Sequence, residues 1–232
     1  MRKKMCPTAR YVPLGDSALL VEFGDTISLE ANHKVTALDV ATRNAKIPGV
    51  KELVPTYRSL LVRYDPSKVS YEQLAFCIKD LEQTPQPDKE ADRRITDVPV
   101  VYGGQYGPDL GCVAQRHGLS QEQVSKLHSE REYRVYMIGF VAGFPYMGEV
   151  PDEITSPRLE TPRLKVPAGS VGIAERQTGI YPCEAPGGWQ IIGRTPLKLF
   201  DIRWEPPALL KPGDRVRFRP IDETEFQRMC QE

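Results

Sequence analysis

Pro182-Cys183-Glu184-Ala185-Pro186-Gly187-Gly188-Trp189-Gln190-Ile191-Ile192-Gly193-Arg194-Thr195-Pro196 is the stretch on which the reading of this 232-residue chain turns. Glycine admits positive φ and close backbone approach, while proline fixes φ and removes a donor. Here both surround a tryptophan, a glutamine and an arginine. Two more such segments lie upstream, Gly139-Phe140-Val141-Ala142-Gly143-Phe144-Pro145-Tyr146-Met147-Gly148 and Lys165-Val166-Pro167-Ala168-Gly169-Ser170-Val171-Gly172-Ile173-Ala174. Two readings stay open at this point: a shaped surface, or the tight corners of a small β-barrel.

Outward from these segments the chain has two grammars. From Tyr133 onward, short apolar runs are divided by Gly and Pro, the pattern of a barrel or sandwich. Lys211-Pro212-Gly213-Asp214 is a type II turn signal before a final strand with Val216 and Phe218. Residues 1–82 instead alternate strand and helix. Ser17–Phe23 is a strand ended by Gly24-Asp25. Ser28 caps a helix with an apolar face of Ala31, Val35, Leu38, Thr42 and Ala45, stopped by Ile47-Pro48-Gly49. Val50–Pro55 and Ser59–Tyr64 are strands joined by a short turn. Ser70 and Gln73 form a capping box for a helix that buries Leu74, Cys77, Ile78 and Leu81. The order β-α-β-β-α predicts an α+β domain close to the ferredoxin-like split βαβ arrangement.

Gln83–Arg94, with prolines, mixed charge and no apolar period, predicts a linker over 83–94. The second domain then spans 95–232. It opens with a strand at Asp97–Tyr102 and two short helices, Asp109–His117 stopped at Gly118, and Ser120–His128 with a capping box of Ser120 and Gln123.

Composition limits the function. Lys+Arg and Asp+Glu are both 31, a zero balance that argues against a nucleic-acid binder. The basic start Met1–Cys6 leads into no signal-length apolar run, and no segment is long enough to span a bilayer, so no membrane partner and a cytoplasmic location are expected. Five scattered cysteines without a C-x-x-C suggest neither disulfides nor zinc. Cys77 and Cys112 are expected on packed helix faces and Cys183 as an exposed thiol. There is no phosphate-binding loop, dinucleotide fingerprint or H-E-x-x-H, and His33, His117 and His128 are too dispersed for a metal set. Ala168-Gly169-Ser170-Val171-Gly172 lacks the first glycine and the helix of a nucleophile elbow, so Ser170 reads as structural.

The three Gly/Pro segments in this order resemble the KipI-type family, also described as the 5-oxoprolinase B subunit or allophanate hydrolase subunit 1. The resemblance extends to Gly15-Asp16-Ser17-Ala18-Leu19-Leu20-Val21-Glu22-Phe23-Gly24, Val98–Gly104, Gly107–Leu110, Glu132–Phe140 and Gln177–Pro182, nearly the whole chain. Val141-Ala142 departs from the usual small-Pro pair, and Glu149-Val150-Pro151 from a Gly-rich continuation. The resemblance implies an α+β N-terminal domain and a cyclophilin-like C-terminal barrel. It implies a subunit of an ATP-dependent 5-oxoprolinase that opens 5-oxoproline to glutamate with subunits A and C, the chain being inactive alone. Alternatively, it implies an inhibitor of histidine kinase autophosphorylation. A cyclophilin-like fold does not itself imply prolyl isomerase activity.

Within that frame, His128 is either a general acid/base or a histidine favoured by a helix C-terminus. Arg158, Arg163, Lys165 and Arg194 are carboxylate or phosphate ligands or surface charge, with Arg163 and Arg194 favoured because proline-ordered backbone flanks them. Gln190 orients an amide or satisfies backbone groups. Phe144, Tyr146 and Trp189 line a partner groove or belong to the core.

Overall fold

The computed structural model describes residues 9–83 and 95–231, and the chain divides into two compact units near residue 91. The expected linker therefore lies almost wholly outside the described residues, as does the basic start.

The first unit is built from β1 (Arg10–Pro13), β2 (Ala18–Glu22), α1 (Leu29–Ala45), β3 (Val50–Pro55), β4 (Ser59–Tyr64) and α2 (Tyr71–Gln83). Its sheet runs β1-β2-β4-β3, with every neighbouring pair antiparallel. β2 and β3 are thus parallel with β4 between them, and α1 connects them. Both caps read from the sequence form: Ser28 Oγ accepts from the Ala31 N–H (3.1 Å), and Ser70 and Gln73 cap each other. Leu19, Val21, Leu60 and Val62, alternating on the central strands, pack against Val35, Leu38, Leu74 and Ile78.

Three details differ from the sequence expectation. β1 is an additional edge strand, unmarked in sequence because its residues are mostly exposed. Ala41 replaces Ala45 on the buried face of α1, since the helix ends at a left-handed Lys46 and Ala45 just before it is exposed. Cys77 and Leu81 are only half-buried, while Ala75 is buried.

The second unit contains β5 (Ile95–Tyr102), α3 (Leu110–His117), α4 (Gln121–Ser129), β6 (Glu132–Ile138), β7 (Pro145–Gly148), β8 (Arg163–Val166), β9 (Ser170–Ala174), β10 (Gln177–Ile180), β11 (Ala185–Gly187), β12 (Gln190–Arg194), β13 (Arg215–Pro220) and α5 (Glu223–Met229). Seven strands close into a barrel in the order β10-β7-β6-β13-β5-β12-β9, while β8 and β11 form a separate two-stranded ribbon. β5 and β13 are parallel and the other barrel pairs antiparallel. Period-2 alternation fills the interior with Val98, Val100, Tyr133, Val135, Val171, Ile173, Val216 and Phe218. Leu110 and Val113 of α3 and Val124 of α4 join this core. Gly118 and the Ser120–Gln123 capping box act as expected. The sequence reading missed α5, capped by Asp222, and placed Cys112 on a packed face where it is in fact exposed.

His128 belongs to the barrel interior, with no exposed surface. Tyr102 Oη lies 2.8 Å from Nδ1, and Nε2 lies 2.9 Å from Thr178 Oγ1. Thr178 gives its own proton to the Gly172 carbonyl (3.1 Å). The hydroxyl must therefore accept from Nε2–H, which leaves Nδ1 to accept from Tyr102. This chain uses a neutral imidazole. The ring also stacks near Tyr133 and Phe218. Burial pushes its pKa down to about 3. The expectation of a general acid/base is thus replaced by a buried, neutral histidine out of reach of solvent. The helix-dipole reading also fails, because that effect favours the protonated ring.

Because the folded pKa lies below the unfolded value, this stabilisation is complete above roughly pH 6.5 and is lost as pH falls towards 3. Both tryptophans, Trp189 and Trp204, lie in the second unit, so their fluorescence reports its unfolding. Between pH 7 and pH 5 its unfolding free energy in urea should fall by about 2 kcal/mol from this group. His128→Gln should flatten that slope.

Candidate functional site

The three Gly/Pro segments converge on a second, smaller core outside the barrel interior. It contains Phe144, Val166, Ala174, Tyr181, Ala185, Trp189 and Ile191, with Val141 and Tyr146 packed against it. The same strands serve both cores: Ile173 and Ile192 point into the barrel, Ala174 and Ile191 away from it. Phe144 is the hub. Its ring centroid lies 4.8 Å from Tyr146, 5.1 Å from Tyr181 and 5.4 Å from Trp189, the last two edge-on.

Glycines make room for these rings. A Cβ on Gly179 would lie 2.9 Å from Phe144 Cζ, one on Gly172 3.1 Å from Trp189 Cβ, and one on Gly187 2.1 Å from the Tyr181 hydroxyl. Phe144 and Trp189 are buried at 1% and 4% exposure, so the structure assigns them to a core; only Tyr146 of the three expected groove aromatics reaches the surface.

The opening stretch also holds the loop before β8. Gln190, itself buried, donates from Nε2 to the Pro157 carbonyl (2.9 Å), and the Leu159 N–H donates to the Gly188 carbonyl (2.7 Å). Of its two expected roles, Gln190 takes the backbone-satisfying one. Between those two anchors stands exposed Arg158, whose charge is felt by the phenols of Tyr146 and Tyr181. Burial raises both phenols, and Arg158 opposes the rise. Arg163 acts on Tyr181 in the same direction, and the backbone N–H of Trp189 donates to the Tyr181 phenol oxygen.

Arg163 is held by Asp109. The Asp109 carboxylate accepts from Arg163 Nη2 (2.7 Å) and from the Ile191 N–H (2.6 Å), while the Asp109 N–H donates to the Ile191 carbonyl (2.9 Å). Arg163 Nη1 is covered and has no hydrogen-bond partner among the described residues. An unsatisfied buried donor costs about 1–3 kcal/mol, so the lone chain leaves this guanidinium incomplete.

Exposed Arg158 and the half-buried Arg163 and Tyr146 thus stand above an aromatic floor in which Tyr181, 1% exposed, is buried. Arg194 stands apart from it. Its Nε donates to the Ala168 carbonyl (2.7 Å), bracing a turn of the barrel. Lys165 pairs with Glu184 on the exposed ribbon, Cys183 is exposed, and Ser170 is buried in β9. Sequence reasoning missed Asp109 and Tyr181 and undervalued Arg158. Asp109 carried a signal, since it stands at a helix N-cap, yet its side chain makes no cap bond and is spent on β12 and Arg163 instead. No cluster of metal-ligating residues occurs among the described residues.

The sequence profile described as "Carboxyltransferase domain, subdomain C and D" matches residues 9–210, and the chain belongs to that family. It is 42% identical to the protein of Bacillus subtilis (strain 168) named as the B subunit of 5-oxoprolinase, over 94% of this chain and 96% of that one. The protein of the same name in Escherichia coli O157:H7 is 41% identical over 93% and 97%. Among solved structures, TTHA0988 superposes with a TM-score of 0.79 at 41% identity, covering 88% of this chain and 40% of TTHA0988. The chain therefore spans well under half the length of TTHA0988.

Two substitutions probe this architecture. Gly179→Ala, forcing a Cβ against Phe144 and the Pro145 carbonyl, should destabilise the second unit by about 1–3 kcal/mol in urea unfolding. Asp109→Ala frees both the Ile191 N–H and Arg163 and should cost about 2–4 kcal/mol, reduced from a fully buried pair because Arg163 is about one-third exposed.

Proposed function

We propose that this chain is the B subunit of an ATP-dependent 5-oxoprolinase, acting with subunits A and C to open the lactam of 5-oxoproline to glutamate. The observation that carries this reading is 41–42% identity over nearly the full length of both chains to proteins named as the B subunit of 5-oxoprolinase. In the same reading the barrel is cyclophilin-like. The first unit is a ferredoxin-like sheet in which β1, from the start of the chain, takes the outer place next to β2.

The lactam is a stable amide, and phosphorylation of its oxygen by ATP would make its carbon a better electrophile. The sequence holds no phosphate-binding loop, so this reading assigns nucleotide binding to the assembled complex. What the chain contributes is recognition. 5-Oxoproline carries a carboxylate, and Arg158, Arg163 and Tyr146 offer charged and phenolic donors to such a group. Gln190 and Asp109 are positioning residues, the first for the loop bearing Arg158 and the second for Arg163. Arg194 and His128 have structural roles in this reading. The unpaired Nη1 of Arg163 fits a site that another group completes.

Mixing the chain with subunits A and C, ATP and 5-oxoproline should release glutamate and ADP together, with none when this chain is omitted. Turnover unaffected by the omission would refute the assignment. Arg158→Ala in the same assay should lower kcat/KM for 5-oxoproline by about 10- to 100-fold, the range of a lost charge-assisted hydrogen bond. The effect should fall mainly on KM.

A further inference from the structure

We propose that Tyr106 is a positioning residue for the substrate carboxylate, coupling the C-terminal helix α5 through Asp109 to Arg163; the proposal rests on the 5-oxoprolinase reading above. Arg163 donates to the Asp109 carboxylate (2.7 Å), so the place of Asp109 sets the direction of the guanidinium. Asp109 directly follows the segment Gly103-Gly104-Gln105-Tyr106-Gly107-Pro108, which joins β5 to α3. A shift of that segment is a shift of Asp109.

The segment is held against β12 by its backbone. The Gly103 N–H donates to the Ile192 carbonyl (3.0 Å) and the Asp109 N–H to the Ile191 carbonyl (2.9 Å). Tyr106 and Gly107 N–H groups both donate to the Gly103 carbonyl (3.1 and 2.8 Å). The approach is too close for a side chain: a Cβ on Gly107 would lie 2.0 Å from the Ile192 oxygen.

A second set of contacts comes from α5. The Glu223 carboxylate accepts from the Tyr106 hydroxyl (2.9 Å) and from Gln105 Nε2 (3.0 Å), and Gln227 Nε2 donates to the same hydroxyl (3.0 Å). The Tyr106 ring lies 4.8 Å from that of Phe226, which is buried. The helix is itself anchored, because the Ile221 N–H donates to the Val100 carbonyl of β5 (2.9 Å) and Asp222 caps the first turn. Glycine loses more freedom on folding than any other residue, and Gly103 and Gly104 both sit at positive φ. So glycine-rich a segment draws its order from its partners, and Tyr106 is its one aromatic side chain. An arginine fork binds a carboxylate only while its N–H groups face the oxygens. Loosening Asp109 therefore weakens substrate binding without touching the reacting atoms.

The test is steady-state turnover of 5-oxoproline by the full complex reconstituted with variant chains. Tyr106→Ala, which removes ring and hydroxyl together, should raise KM by about five- to tenfold with kcat within about twofold of wild type. Tyr106→Phe, which keeps the ring on Phe226, should recover most of that loss. Glu223→Ala, an exposed substitution that spares the core, should raise KM by about two- to fivefold. Added to Asp109→Asn, Tyr106→Ala should raise KM no further than Asp109→Asn alone, as two residues acting in series require. A merely structural role would lower the melting temperature and kcat and leave KM unchanged. Increases that multiply in the double variant overturn the positioning role and leave the 5-oxoprolinase reading standing. So does a KM that stays at wild type in Tyr106→Ala and Glu223→Ala, or in Asp109→Asn. A wild-type complex that releases no glutamate overturns that reading and the positioning role with it.

Discussion

The ring of Phe144 lies against the backbone of Gly179, and the rest of the second unit depends on that contact. A barrel strand ordinarily presents side chains to both faces. Here Gly172 and Gly179 present none on the outer face, and the space is filled by Trp189 and Phe144 arriving from other segments. The barrel wall therefore carries a core on each side. The inner core closes the barrel, and the outer one fixes the loops that carry the charged side chains.

Asp109 connects this architecture to chemistry. By exchanging two hydrogen bonds with Ile191 and accepting one from Arg163, it ties the start of α3, the middle of β12 and the start of β8 into one rigid junction. Gln190 does the same for the loop bearing Arg158. Two neighbouring residues of β12 thus aim two arginines. The tie leaves Nη1 of the Arg163 guanidinium without a hydrogen-bond partner among the described residues.

Much of the fold was legible because its signals are local. Capping boxes act within three residues, and Ser28, the Ser70–Gln73 pair and the Ser120–Gln123 pair behave as read. Gly118 ends α3 for a reason confined to its own φ of 66°. β1 and α5 escaped notice because neither has a buried period: β1 is mostly exposed, and α5 buries Phe226 alone. The candidate site was less legible. His128 resembled a catalytic residue until its burial and its bonds to Tyr102 and Thr178 were seen, and those partners lie 26 and 50 residues away. Asp109 read only as the first residue of a helix, although its carboxylate is used 54 and 82 residues further on.

The sequence alone determined the caps of α1, α2 and α4, the barrel grammar and the family, because these follow from periodicity, capping and turn chemistry written in neighbouring residues. It also showed that the stretch from Pro182 to Pro196 matters. Only the tertiary structure decided how. Trp189 is core, Gln190 is a brace, Arg194 holds a turn, and the exposed charge beside them is Arg158 from another segment. Those roles depend on which groups meet across the barrel wall, and burial and pairing between distant segments are not encoded in the spacing of any one of them.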